Sequence, residues 1–168
     1  MLRNVIVAAA LALGLSACAS PGAETESPAK SPESAAPPVP SVEYQTGFLA
    51  PERGSGQSWR WMGADGVIRL KNTQRDMTLT ISGRAPLDLP QRPTITVELN
   101  GELLGAIAEA RGALERKYDV PAAKLGIGPW STLHITSSQT LVPHDINPES
   151  PDTRRLGFAL YNLTWEPK

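Results

Sequence analysis

Hydrophobic and polar positions alternate with period two along most of the chain after residue 42. In "SWRWM", Trp59 and Trp61 fall on one side and Arg60 on the other, and in "GVIRLK", Val67 and Arg69 oppose Ile68 and Leu70. "MTLTIS" sets Met77, Leu79 and Ile81 against Thr78, Thr80 and Ser82, the pattern of a half-buried strand rich in β-formers. "TITVEL" repeats this with Ile95, Val97 and Leu99. Asn100-Gly101 follows at once, and both residues accept the positive φ of a tight hairpin. "STLHITSS" and "GFALYNLTW" supply two further strands. "GADG", "RAPLDLPQRP" and "GIGP" read as the turns between runs.

One segment has a second reading. In "LLGAIAEARGALERKY", Leu103, Ile107, Ala110, Leu114 and Tyr118 recur three and four apart among good helix formers. Against a helix stand the Asn-Gly turn, which demands a returning strand, and Gly112, which costs about 1 kcal/mol in a helix interior. The sequence is therefore read as a strand, a loop at "EARG" and a strand through "LERKYDV". The fold class expected is all-β: a jelly-roll-like β-sandwich of about eight or nine antiparallel strands.

The first 42 residues have no such alternation. Residues 1–17, "MLRNVIVAAALALGLSA", join a basic start at Arg3 to an apolar run and small residues, the anatomy of an export signal. "LSAC", ending at Cys18, resembles the lipobox of bacterial lipoproteins. The resemblance implies cleavage before Cys18, diacylation of its thiol and acylation of the new amine, with palmitate a typical chain. At about 0.8 kcal/mol per buried methylene, three chains anchor a protein permanently. Ala19 and Ser20 stand where inner-membrane lipoproteins carry Asp, so for a Gram-negative source the resemblance favours the outer membrane. Residues 18–42 hold the lipidated cysteine and a tether with six prolines, able to extend roughly 70 Å at about 3.1 Å per residue. Residues 43–168 are then one domain.

The composition removes several classes of function. Sixteen Lys+Arg against seventeen Asp+Glu give a net charge of −1, which offers no attraction for nucleic acid or an anionic bilayer. Cys18 is the only cysteine, so no intramolecular disulfide forms. No zinc pattern, nucleophile elbow or phosphate-cradling loop is present, no cofactor is implied, and His134 lacks a second histidine at ligand spacing.

The order "GFLAPE", "WRWM", "ITVELNGE", "YDVPA", "LHITSSQTLVPHD" and "SPDTRRLGFAL" resembles the jelly-roll, carbohydrate-binding-like domains appended to bacterial envelope glycosyltransferases. That resemblance spans nearly all of residues 44–166 and implies a fold more than an activity. It leads to a non-catalytic module that binds or organises surface glycan. The alternatives are a structural or protein-docking accessory of a polysaccharide synthesis or export system, and a glycan-active enzyme.

Sugar faces stack on aromatic rings, so the candidate ligand contacts are Trp130, in the "GIGPW" loop, Trp59 and Tyr161. Trp61 and Tyr161 also read as core fillers. His144, Asp145, Glu149 and Asp152 form an oxygen-rich loop that has a calcium reading and a plainer one as a solvated, turn-capping loop. Glu52 and Asp152 are the acid pair that an enzyme reading would need. In "SPDTRRLGFAL", Asp152, Arg154 and Arg155 read as a structural latch: one arginine reaches back to Asp152 and the other faces outward. Arg155 is expected to matter for stability more than for binding.

Overall fold

The computed structural model describes residues 41–89, 91–108, 110 and 112–168. The export signal, Cys18 and most of the tether lie outside the described residues. The described residues form nine strands, β1 (Val42–Phe48), β2 (Glu52–Gly54), β3 (Gln57–Lys71), β4 (Met77–Arg84), β5 (Ile95–Leu99), β6 (Glu102–Ile107), β7 (Ala113–Val120), β8 (Trp130–Ser137) and β9 (Phe158–Pro167). A 3-10 turn at Ala122–Leu125 and a one-turn helix α1 (Pro143–Ile146) are the helical elements among the described residues. None of these helices is long and apolar enough to cross a membrane.

All strand pairing is antiparallel, and β3 is the element that makes two layers of it. Residues 65–71 of β3 pair with β8, whereas residues 60–62 pair with β9. From β8 the sheet continues through β5 to the edge strand β6, and from β9 through β4 to the edge strand β7. β1 and β2 line the other side of β3. The two branches fold face to face into a β-sandwich. Their inward side chains form one core, with Ile68, Leu70, Leu133, Ile135, Ile95, Val97 and Leu99 from one layer. Leu79, Ile81, Phe158, Leu160 and Trp165 come from the other. Trp165 ties the layers by donating from Nε1 to the Lys71 carbonyl at 2.8 Å.

The structure corrects the reading of "GADG" as a turn. Gly63 to Gly66 lie inside the uninterrupted strand β3, at the place where it passes from one layer to the other. The glycines there serve close approach. A Cβ on Gly66 would lie 2.6 Å from the Phe48 ring, and one on Gly157 would lie 2.2 Å from the Gly63 carbonyl oxygen. On either side of the crossing even-numbered residues of β3 face the core, with Met62, Ile68 and Leu70 all fully buried, while Ala64 at the crossing is exposed.

Elsewhere the alternation is realised directly. Asn100 and Gly101 take φ of 52° and 82° and join β5 to β6. The segment from 102 to 120 forms strands, although its two halves do not pair with each other. β6 pairs with β5, and β7 pairs with β4 in the opposite layer. The three-and-four spacing does not mark one buried face, since Leu103 is left exposed while Leu104, Ile107, Leu114 and Tyr118 pack against the core. Gly105 admits the Tyr118 ring, since a Cβ there would stand 2.9 Å from it.

Candidate functional site

The outward face of the layer built from β2, the start of β3, β9, β4 and β7 holds a second aromatic cluster, separate from the core. Trp61, Leu156 and Ala159 are buried there, with Trp59, Tyr161 and Leu49 packed half-exposed around them. Trp59 and Trp61 reach this face because they are odd-numbered positions of β3. Tyr161 reaches it by the same alternation that turns Ala159 outward and Phe158 and Leu160 inward, and a bulge follows it at once. The pairing of β4 with β9 runs Ser82 to Asn162 and then Gly83 to Leu160, which leaves Tyr161 as the extra residue. The extra residue shifts the phase of the alternation, so Leu163 and Trp165 after it face the core as Phe158 and Leu160 do before it. Leu160 and Leu163 both stay in the core, and Tyr161 stands beside Trp59 with ring centroids 6.4 Å apart at 72°.

Trp59 is held from the β2 side. Its Nε1 donates to Glu52 Oε2 at 3.1 Å, and Glu52 Oε1 accepts from Arg154 Nη1. Arg154 also grips Asp152, with Nε to Oδ1 at 2.8 Å and Nη2 to Oδ2 at 2.7 Å. The Asp152 carboxyl is lowered to about 2, chiefly by the hydrogen bonds from Arg154. The Arg154 guanidinium is raised by its hydrogen bonds to Asp152 and Glu52. A planar guanidinium suits such forked contacts with carboxylates. The chain Asp152, Arg154, Glu52, Trp59 thus fixes one ring before any ligand arrives, which lowers the entropy cost of binding.

Beside Tyr161 the face opens into a groove of about 620 Å³ that runs toward β7 past Ser82, Arg84, Gln57 and Glu115. Among the described residues, the side chains of Gln57, Ser82 and Glu115 and the Tyr161 hydroxyl have no hydrogen-bond partner. Arg84 meets only the Trp61 ring, at 6.0 Å from its centroid. The groove therefore offers both donors and acceptors beside an aromatic wall. That combination suits a polyhydroxylated ligand.

Trp130 lies on the outward face of the other layer, half-buried under Arg69, whose guanidinium sits 4.4 Å from the ring centroid. Its loop is braced by Asn72, which donates to the carbonyls of Leu125, Gly126 and Gly128 at 2.9 Å each. Trp59 and Tyr161 are thus brought together, and Trp130 stands apart from both. Arg154 is the partner of Asp152, whereas Arg155 extends to Thr140 Oγ1 at 3.2 Å. The strand they precede begins at Phe158, and Leu156 instead forms an isolated bridge with Leu141.

In the loop read for calcium, both Asp152 oxygens are taken by Arg154, and His144 Nδ1 lies 2.9 Å from the Ser150 carbonyl. No group of three or more metal-ligating side chains occurs among the described residues. His134 stands on β8 between Asp65 and Glu98, at 3.7 and 3.9 Å. Glu52 and Asp152 do come together, but around one guanidinium. Asp152 is ionised down to about pH 2, so it has no proton to give a leaving group at neutral pH.

Arg84, Gln57, Ser82 and Glu115 were not singled out by the sequence. A usable signal was present for Tyr161, because Phe158 and Leu160 alternate with Ala159 and Tyr161, and the three-residue step from Leu160 to Leu163 marks the bulge that follows. The contact of Glu52 with Arg154, across 102 residues, has no local signature.

No family model matches the sequence, and no curated protein matches it significantly. Among solved structures it is similar to the CBM36-1 domain of a multidomain xylanase from the hindgut metagenome of Trinervitermes trinervoides. That match has 8% identity and a TM-score of 0.38, over 73% of this chain and 87% of that one. It is also similar to a family 35 carbohydrate-binding module from an environmental isolate. There the identity is 10% and the TM-score 0.41, over 76% of this chain and 96% of the module. The sandwich is established by its own strand pairing, and nothing about ligands follows from likenesses this distant.

Proposed function

We propose that this chain is a non-catalytic glycan-binding module, tethered to the cell envelope through a lipidated Cys18, and that it binds on the outward face carrying Trp59 and Tyr161. The observation that carries the reading is the pairing of two rings on one outward face. Tyr161 stands next to a tryptophan already fixed by Glu52, beside a polar groove. Rigid aromatic rings beside unpaired polar groups are what a pyranose requires: an apolar face to stack on and partners for its hydroxyls.

The engagement of Asp152 and Glu52 by Arg154 favours binding over bond cleavage, since neither carboxylate is set across a cleft from the other. The anchor reading rests on the "LSAC" stretch and the proline-rich tether, and placement at the outer membrane rests on Ala19 and Ser20. A polysaccharide-assembly protein is the alternative partner, and the polar lining of the groove favours glycan over protein.

The test is isothermal titration of the full chain, solubilised in a non-glycosidic detergent, against a panel of neutral and acidic oligosaccharides. Saturable binding that Tyr161→Ala weakens tenfold or more supports the reading. Binding that this substitution leaves unchanged excludes the face.

A further inference from the structure

At its Arg84 end the groove runs into a second hollow of a different character. This pit, about 330 Å³, lies between the sheet and the loop around α1. Trp61 and Leu156 are buried residues of its lining, and Leu87, Leu141 and Ile146 add further apolar surface. Leu87 is 66% exposed and Ile146 51%, so two of the five large apolar side chains left exposed on the described residues lie on this one hollow. Pit and groove share Arg84 and Leu87 in their linings, so they adjoin.

The pit also carries a donor. Asn147 lines it, and its Oδ1 accepts from the Glu149 amide at 3.1 Å. Its Nδ2 has no partner among the described residues. An apolar hollow with an amide donor and a guanidinium on its wall suits a short apolar group that bears a carbonyl oxygen. It suits a bare hydroxyl poorly, because a hydroxyl placed against Leu156 or Ile146 would exchange water for no partner. The Asp88 carboxylate on the same lining, with Glu115 beyond Arg84, disfavours an anionic group there.

We infer that the pit is an acyl subsite, so that the preferred ligand is a glycan carrying N-acyl substituents, with sugar rings against Tyr161 and Trp59 and an acetamido group seated between Ile146, Leu156 and Asn147. This inference rests on the glycan-binding reading of the adjoining face.

A matched pair of neutral ligands separates the two claims. Cellotetraose and chitotetraose share one β-1,4-linked backbone and differ in a hydroxyl against an acetamido group at each ring. Isothermal titration of the full chain is expected to show chitotetraose binding at least tenfold tighter. Ile146→Asp, at an exposed position of the pit alone, should bring the two affinities within twofold by weakening chitotetraose only. Equal wild-type affinities, both lost in Tyr161→Ala, would overturn the acyl subsite and leave the glycan face standing, as would a preference that survives Ile146→Asp. Absence of saturable binding for either ligand would overturn both.

Discussion

Arg154 holds Asp152 through two parallel hydrogen bonds, Nε to Oδ1 at 2.8 Å and Nη2 to Oδ2 at 2.7 Å. With its remaining nitrogen it reaches Glu52 and, through it, Trp59. Adjacent arginines in the sequence therefore have unlike work. Arg154 joins the loop before β9 to β2, and Arg155 makes one longer contact with Thr140. The Arg154 side chain is 42% exposed, so solvent screens the pair and its worth is modest. Arg154→Ala is expected to lower unfolding stability by about 1 kcal/mol and Arg155→Ala by less than about 0.5 kcal/mol, in urea denaturation at low salt.

The same pair sets a pH dependence. The Asp152 carboxyl falls from 3.8 to about 2 on folding, so its contribution is fully present above the unfolded value and is lost as pH drops through the folded one. The stability difference between the wild-type chain and Asp152→Asn should be constant from pH 7 to about 5, decline below about pH 4 and still be falling as pH passes about 2. Chemical denaturation across that range checks it, and a difference that grows on acidification would contradict it.

The crossing of β3 between layers can be tested with two glycines three positions apart. A Cβ on Gly66 would press into the Phe48 ring at 2.6 Å, while one on Gly63 has nothing nearer than 3.8 Å. Gly66→Ala should cost about 1–3 kcal/mol, as overpacking of a core does. Gly63→Ala should be neutral within about 0.5 kcal/mol. Equal effects would mean that "GADG" works as a turn after all.

Much of the fold was legible because one face of each strand is buried, so Met77, Leu79 and Ile81, or Ile95, Val97 and Leu99, mark their strands by alternation alone. Asn100-Gly101 was equally plain, since positive φ at two successive residues is a demand that few pairs meet. "GADG" misled because glycine serves close approach as well as turns, and a single chain cannot show which. For the site, Trp59 and Tyr161 were visible as residue types but not as neighbours. Their adjacency depends on the pairing of β3 with β9 and on the contacts of Glu52 with Trp59 and Arg154, both products of tertiary packing. Trp130 was legible as a loop-edge aromatic, yet the guanidinium covering it comes from Arg69 on a neighbouring strand.

The anchor makes a separate prediction. Metabolic labelling with palmitate should mark the protein, and Cys18→Ser should abolish the label and shift the chain from the membrane to the soluble fraction. Labelling that persists in the variant would exclude Cys18 as the lipidated residue.

The claim that matters most is that ligand meets the Trp59 and Tyr161 face. Amide and indole proton shifts, measured by two-dimensional NMR on titrating the tightest oligosaccharide of the panel, test it most directly. The largest changes are expected on the Trp59 indole, on residues 159–163 of β9 and on Ser82 and Arg84, with Trp130 and Thr132 unmoved. Changes centred on Trp130 and Arg69, with the Trp59 indole unmoved, would contradict it.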